Sequence, residues 1–365
     1  MRGPGDVIHI AGREIRQYAR PFLIAEVGQA HDGSLGFAHC FIDIAADAGV
    51  DAIKFQTHIA SAESTLDEKF RVPFSFEDTT RFDYWRRMEF TGTQWEGLAG
   101  HAREKGLVFM SSCFSVEAVE MMRGLGMPAW KVGSGEVESN ELLDAMAAGG
   151  EPILLSTGIS GVSVIQKQVE RIVSKQVPVA LFQCTTRYPA PLEEVGLNVI
   201  DALNERFGCP VGLSDHSGSV WPSVAAMARG AALIEVHIAM HRQQFGPDTP
   251  ASLDPPQLRQ LVEARDAIAL MLSHPVDKEI ASNGMAESRQ LFGKSLALKA
   301  PLPAGTVLRA EHLTLKKPGG GLGRDVTAQL IGRRLVRGVP ADRLLRLDDI
   351  EPEIRRSAVP EDSCF

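Results

Sequence analysis

Eight short runs rich in β-branched or apolar residues recur between residues 22 and 239, and most are separated by stretches that read as helical. They are FLIAEVG (22–28), AIKFQT (52–57), LVFMSSCF (107–114), AWKVGSG (129–135), PILLSTG (152–158), VALFQCT (179–185), VGLSDH (211–216) and LIEVHIA (233–239). Near-continuous apolar runs joined by helical crossovers suit parallel strands buried on both faces, and eight in succession predict a closed (β/α)8 TIM barrel. A doubly wound open sheet is the alternative. Each run starts apolar and tends to finish polar, which in a barrel brings the polar ends to one rim, where active sites are built. Ser and Thr at such ends can simply cap the next helix. That account fails for Glu26, Lys54, Lys131 and Glu235, because charge near a buried strand end is costly unless it is paired or liganded.

The rest of the chain divides around this frame. Residues 1–272 are expected to form the barrel, 273–290 a linker, and 291–352 a small β-rich domain of short strands and turns, with 353–365 as a frayed tail. The segment 59–101 holds eight of the chain's 23 aromatic residues. That density predicts a packed element over the rim and not a floppy linker.

Bulk properties exclude several classes. A 44% hydrophobic, 23% charged chain can build a sizeable core, and its formal net charge of −8 argues against general nucleic-acid binding. The five cysteines are odd in number and form no CxxC, so neither a disulfide framework nor a thiolate zinc knot is expected. The N-terminus lacks a signal-peptide core. The most apolar long segment, 224–240, is broken by Arg229, Glu235 and His237, so no membrane span is expected, while the cysteine usage makes a reducing cytoplasm the natural location.

His216 and His237 stand near the ends of consecutive runs, and Glu235 shares strand parity with His237. Two imidazoles placed alike suit a divalent ion that keeps open positions, with manganese or another ion tolerant of N and O ligands more plausible than structural zinc. Lys54 and Lys131, joined by Ser134, Ser156 and Ser214, could surround a phosphate and a carboxylate. They could equally be paired internally with Glu26 and Glu235. Glu26 is followed closely by Gly28 and suits a general acid or base.

FLIAEVGQAHDG, DAIKFQTH, KVGSGE, LLSTG, CTTRYPAP, GLSDHS, IEVHIAM and GPDTPASLDP, in this order, resemble the sialic acid synthase family, which includes pseudaminic, legionaminic and spore-coat polysaccharide synthases. The tail, from SLALKAPLPAGTVLRAEHLTLKKPGGG to IGRRLVRGVPADRLLRLDDIE, resembles that family's antifreeze-like SAF domain. The resemblance implies a C–C bond-forming transferase that condenses phosphoenolpyruvate with the open-chain aldehyde of an N-acyl-mannosamine-like sugar. The products are a nine-carbon 2-keto acid and phosphate. By the same resemblance His216 and His237 match the ligands of a divalent metal, most plausibly Mn2+, with Mg2+ or Co2+ as alternatives. Lys54, Lys131, Ser134, Ser156 and Ser214 match phosphoenolpyruvate contacts, Glu26 and Glu235 the catalytic carboxylates, and Tyr188 and Asp248 sugar contacts.

The implied chemistry is attack of C3 of phosphoenolpyruvate on the metal-polarised aldehyde, capture of the C2 cation by water, and loss of phosphate by C–O cleavage. The implied assembly is a domain-swapped homodimer, in which the SAF domain of one chain completes the sugar site of its partner. The chain departs from the family pattern at several points. Gly28-Gln29-Ala30-His31-Asp32-Gly33 stands where many members read GINHNG, and Thr186 and Arg187 precede Tyr188 where an Asn is common. Lys317 aligns with the SAF-domain arginine that meets the sugar's N-acyl group, keeping its charge without the planar fork. Two other readings compete. A metal-dependent aldolase or lyase would need no phosphate cradle, and a non-catalytic sugar-binding descendant would be expected to lose its charged rim groups.

Overall fold

Residues 8–15 form a hairpin that the sequence reading does not include. Strands β1 (Ile8–Ile10) and β2 (Arg13–Ile15) pair antiparallel across Ala11-Gly12, both at positive φ, as a two-residue hairpin turn needs. Its alternation is the visible signal: Ile8, Ile10 and Ile15 are buried against Phe22, Ile24, Ala52, Val108 and Leu233 at the N-terminal starts of the barrel strands. The hairpin therefore plugs the end of the barrel opposite the polar rim.

The computed structural model describes residues 5–352. All eight expected strands are present, as β3 (Phe22–Gly28), β4 (Ala52–Thr57), β5 (Val108–Cys113), β6 (Trp130–Val132), β7 (Ile153–Ser156), β8 (Val179–Cys184), β9 (Val211–Asp215) and β10 (Leu233–His237). They pair in parallel in sequence order, and β10 closes onto β3, so the open-sheet alternative is excluded. The helices cover the outside. In the helix Leu35–Ala48, Ser34 caps the start, Gly49 ends it in the left-handed region, and Ala38, Phe41, Ile42 and Ala45 face the barrel.

The aromatic-rich segment folds as expected. Thr80 and Asp83 form a capping box at the start of the helix Arg81–Met88. Tyr84, Trp85 and Met88 then pack with Ala60, Phe70, Phe74 and Phe82 in an apolar cluster of their own.

Two compact units result, one running to His274 and the other starting at Pro275. The segment expected as a linker is not extended chain. It carries the short helix Lys278–Asn283, capped by Asp277, and most of the helix Ala286–Phe292, and from Pro275 on it belongs to the second unit. The reason is local: an Asx cap and the helix-favouring run AESRQLF give these residues their own hydrogen bonds. In the same unit β11 (Ser295–Leu298) and β12 (Leu313–Lys316) pair antiparallel over a core that includes Leu296, Leu308, Leu335 and Ile350. The tail 353–365 lies outside the described residues. Among the described residues no helix is long and apolar enough to cross a membrane.

Candidate active site

The strand ends do converge. Eleven of the twelve candidate residues, all except Lys317, line one cavity of roughly 540 Å³ on the C-terminal rim. Lys317 belongs to the second unit, where its ammonium lies 5.7 Å from the ring of Phe292.

Four buried charges form the floor. Lys54 Nζ lies 2.6 Å from Glu26 Oε2 and 3.8 Å from Glu235 Oε2, while Lys131 Nζ lies 3.4 Å from Glu235 Oε1. Lys54 donates to Ser112 Oγ at 3.0 Å and Lys131 to Ser156 Oγ at 2.6 Å. Ser214 Oγ donates to Glu235 at 3.0 Å. The internal pairing of lysines and carboxylates is thus real. It is nevertheless incomplete, because Glu235 Oε2 is buried without a hydrogen-bond donor.

The two lysines respond differently to this setting. Burial alone would lower the pKa of Lys54, yet Glu235 and Glu26 outweigh it and hold the ammonium above the ordinary lysine value. For Lys131 burial wins over Glu235, and the adjacent Lys54 adds repulsion, so its pKa falls below the ordinary value. Burial would raise Glu235, but Lys131 and then Lys54 hold it below the carboxylate range. An arriving dianion would meet two cations already desolvated, where charge interacts most strongly.

Above the floor stand the imidazoles. The His216 and His237 rings are 5.3 Å apart by centroid and inclined at 67°. Burial, reinforced by His237, pushes the pKa of His216 down to about 3, so the ring is neutral. Its Nδ1 donates to the Thr185 carbonyl at 2.9 Å, so Nε2 carries the lone pair and accepts from the Tyr188 hydroxyl at 3.1 Å. A neutral, carbonyl-oriented imidazole is the form that ligates a metal. Among the described residues no group of three or more His, Cys, Asp or Glu converges as a metal cage. Glu235 faces the lysines instead. The donor set therefore fits an ion held by two imidazoles with its other positions open, and does not fit a closed structural site.

The outer wall includes Arg71, which sequence reasoning did not single out. Arg71 stacks on Tyr188, 4.3 Å from the ring centroid, and pairs with Asp248 at 3.1 Å. His58 is sandwiched between Trp85 and Phe114 at 4.0 and 4.6 Å. Only the aromatic density of 59–101 hinted at this wall. Nothing in sequence spacing ties Arg71 to Tyr188, 117 positions on.

A model of the NeuB family matches residues 41–277, and one of the SAF domain matches residues 293–351. The N-acetylneuraminate-9-phosphate synthase of Homo sapiens is 34% identical over 333 residues, covering 88% of this chain and 90% of that protein. The N,N'-diacetyllegionaminic acid synthase of Campylobacter jejuni is 30% identical over 333 residues, covering 90% of this chain and 99% of that protein. The crystal structure of an N-acetylneuraminic acid (sialic acid) synthetase from Leptospira borgpetersenii, in complex with citrate, matches with a TM-score of 0.70 at 29% identity. It covers 78% of this chain and 96% of that one.

Proposed function

This chain belongs to the NeuB family and carries a SAF domain, and on that premise we propose that it condenses phosphoenolpyruvate with an N-acyl-mannosamine-like aldose. The products are a nine-carbon 2-keto acid and phosphate. The observation that carries this reading is the buried floor in which Lys54 and Lys131 sit beside Glu26 and Glu235, with a Glu235 oxygen left without a donor. A fold-stabilising cluster gains nothing from such an arrangement, whereas a cradle for a dianion needs its cations desolvated and in place.

In this reading Lys54 and Lys131 hold the carboxylate and phosphate of phosphoenolpyruvate, with Ser134, Ser156 and Ser214 adding hydroxyl donors. Tyr188 and Asp248 hold the acceptor sugar. His216 and His237 would hold a divalent ion such as manganese, which when bound supplies Lewis-acid polarisation of the acceptor's aldehyde oxygen. C3 of phosphoenolpyruvate bonds to the aldehyde carbon, water adds at the C2 cation, and the C2–O bond to phosphate breaks. Glu26 or Glu235 takes the water proton. The charged rim favours this reading over a phosphate-free aldolase and over a non-catalytic descendant.

The test is phosphate release from phosphoenolpyruvate with manganese, screened against N-acetylmannosamine, its 6-deoxy diacetamido relatives and shorter aldoses. Release that requires an amino-sugar acceptor supports the reading, and none with any acceptor overturns it.

The same reading includes a domain-swapped homodimer, in which residues 291–352 of one chain cover the barrel mouth of its partner and Lys317 serves the acceptor site. The glycine-rich loop 316–324 supports close approach of that backbone to a ligand, with Gly320 at φ +82°. Mixing a Glu26→Gln chain with a tail-deleted chain should restore one working site per heterodimer. No recovery in demonstrated heterodimers sinks the swap.

A further inference from the structure

We infer that Gln29 is a positioning residue that fixes the amide of Gln56 and, through it, the carboxylate of Glu26. The inference rests on the functional reading above for its catalytic consequence, but on geometry alone for the relay itself.

The relay begins with a backbone irregularity. The register between β3 and β4 slips between Glu26 and Gly28, and Gly28 adopts φ +53°. A bulge of this kind re-aims the following side chain. The positive φ is what favours glycine here, since a Cβ would meet the His237 ring at 3.4 Å and Gln56 Nε2 at 3.6 Å, ordinary contact distances. Past the bulge Gln29 is buried and lines the cavity.

Donor and acceptor roles then fall into one order. Glu26 Oε1 is 2.7 Å from Gln56 Nε2, and an ionised carboxylate only accepts, so the Gln56 amide must present its nitrogen there and its Oε1 to the other side. On that other side His58 Nε2 lies 3.3 Å from Gln56 Oε1. His58 Nδ1 sits 2.5 Å from Glu63 Oε1, and a carboxylate only accepts, so Nδ1 carries a proton and the relay assigns the lone pair to Nε2. Two acceptors therefore face each other. Gln29 Nε2 reaches both, bonding Gln56 Oε1 and lying 3.2 Å from His58 Nε2, so each of its amide protons has one acceptor.

Without that donor, Gln56 Oε1 faces the His58 lone pair unmet, and the Glu26 contact alone opposes the flip that would turn the Gln56 nitrogen to His58 and its oxygen to the carboxylate. His58 cannot swing to compensate, because its ring is stacked between Trp85 and Phe114.

The test combines turnover with a readout that needs none. Gln29→Met and Gln29→Glu keep the side-chain length and remove the donors. Each should lower kcat by about 10- to 100-fold, the scale of one buried acceptor left unmet, with little change in KM for phosphoenolpyruvate. Because Gln29 acts through Gln56, the Gln29→Met/Gln56→Met double variant should be no slower than Gln56→Met alone. Independent, multiplying losses overturn the relay. On metal-free full-length protein labelled with 15N-histidine, the His58 signal, assigned by its loss in His58→Gln, should report an unprotonated Nε2 that shifts on Gln29→Met. A protonated Nε2 in the wild-type chain overturns the assignment. Should the wild-type chain show no turnover, the failure belongs to the functional reading, and the histidine spectrum decides the relay by itself.

Discussion

The two ends of the barrel bury charge in opposite ways. At the N-terminal end Asp51 sits just before β4 and is fully engaged: Oδ1 accepts from Arg13 and Arg20 at 2.6 and 2.9 Å, and Oδ2 from Arg265 and the Leu23 amide at 2.7 and 2.9 Å. Buried Arg265 spends its remaining donors on Gly49 and Asp266. At the C-terminal rim the opposite holds. Glu235 Oε2 and His31 Nε2 are buried without hydrogen-bond partners, and two lysines are held close enough to repel. A satisfied buried cluster locks the fold, whereas an unsatisfied one is held open for a ligand. One chain contains both, separated by the length of a strand.

The largest expected effect belongs to the rim. His216→Ala or His237→Ala should reduce manganese-dependent phosphate release below detection while the far-ultraviolet circular dichroism stays native. Activity in either variant that survives chelation removes the two-imidazole site. Lys131→Met comes next. It should cut kcat/KM for phosphoenolpyruvate by at least ~100-fold, because a desolvated cation facing an anion is replaced by a neutral chain of similar length. Its unfolding free energy should fall by less than the Asp51 variant's below, since Lys54 stays 3.8 Å from Glu235 and the lost ammonium was itself buried at a cost. Strong unfolding of this variant would erase the contrast between the two ends.

The opposite end supplies the converse test. Asp51→Asn removes the buried carboxylate shared by Arg13, Arg20 and Arg265, leaves Arg265 with the half-exposed Asp266 alone, and should cost about 3–5 kcal/mol in urea unfolding, with kcat of the folded protein changed less than twofold. Equal losses of stability and of turnover would show that the ends are not separable.

The smallest effect is a slope in pH. Burial first, with repulsion from the Arg87 guanidinium added, depresses the pKa of His31 from 6.5 to about 3. The native state therefore resists a proton that the unfolded chain accepts near 6.5. The neutral ring carries no penalty above pH 6.5, and stability drains away as pH falls from there toward 3, at up to ~1.4 kcal/mol per unit. His31→Gln should flatten the fall of the urea midpoint between pH 6 and pH 4 by about one proton. An unchanged slope would mean that the ring titrates normally.

Much of this was legible in the chain. The eight runs carried the barrel because burial on both faces leaves a continuous apolar signature, and Lys54, Lys131 and Glu235 betrayed the rim because charge inside such a run has no structural use. The hairpin Ile8–Ile15 escaped because its strands are three residues long. The helices at 278–292 escaped because their patterning is polar and mostly exposed. Arg71, Gln29 and the His58–Glu63 pair were illegible for a different reason. Polar residues in loops and bulges obey no period, and their partners lie elsewhere in the chain.

Sequence by itself determined which residues carry charge and imidazole, and that they fall late in buried strands. Alternation and run length are local properties, written residue by residue. Only the tertiary structure decided that Glu235 faces two lysines and not the histidines, that His216 presents Nε2 to the cavity, and that a bulge at Gly28 turns Gln29 toward Gln56. Those outcomes depend on the direction in which each side chain leaves a closed, staggered barrel, and that direction is set by register between strands far apart in the sequence.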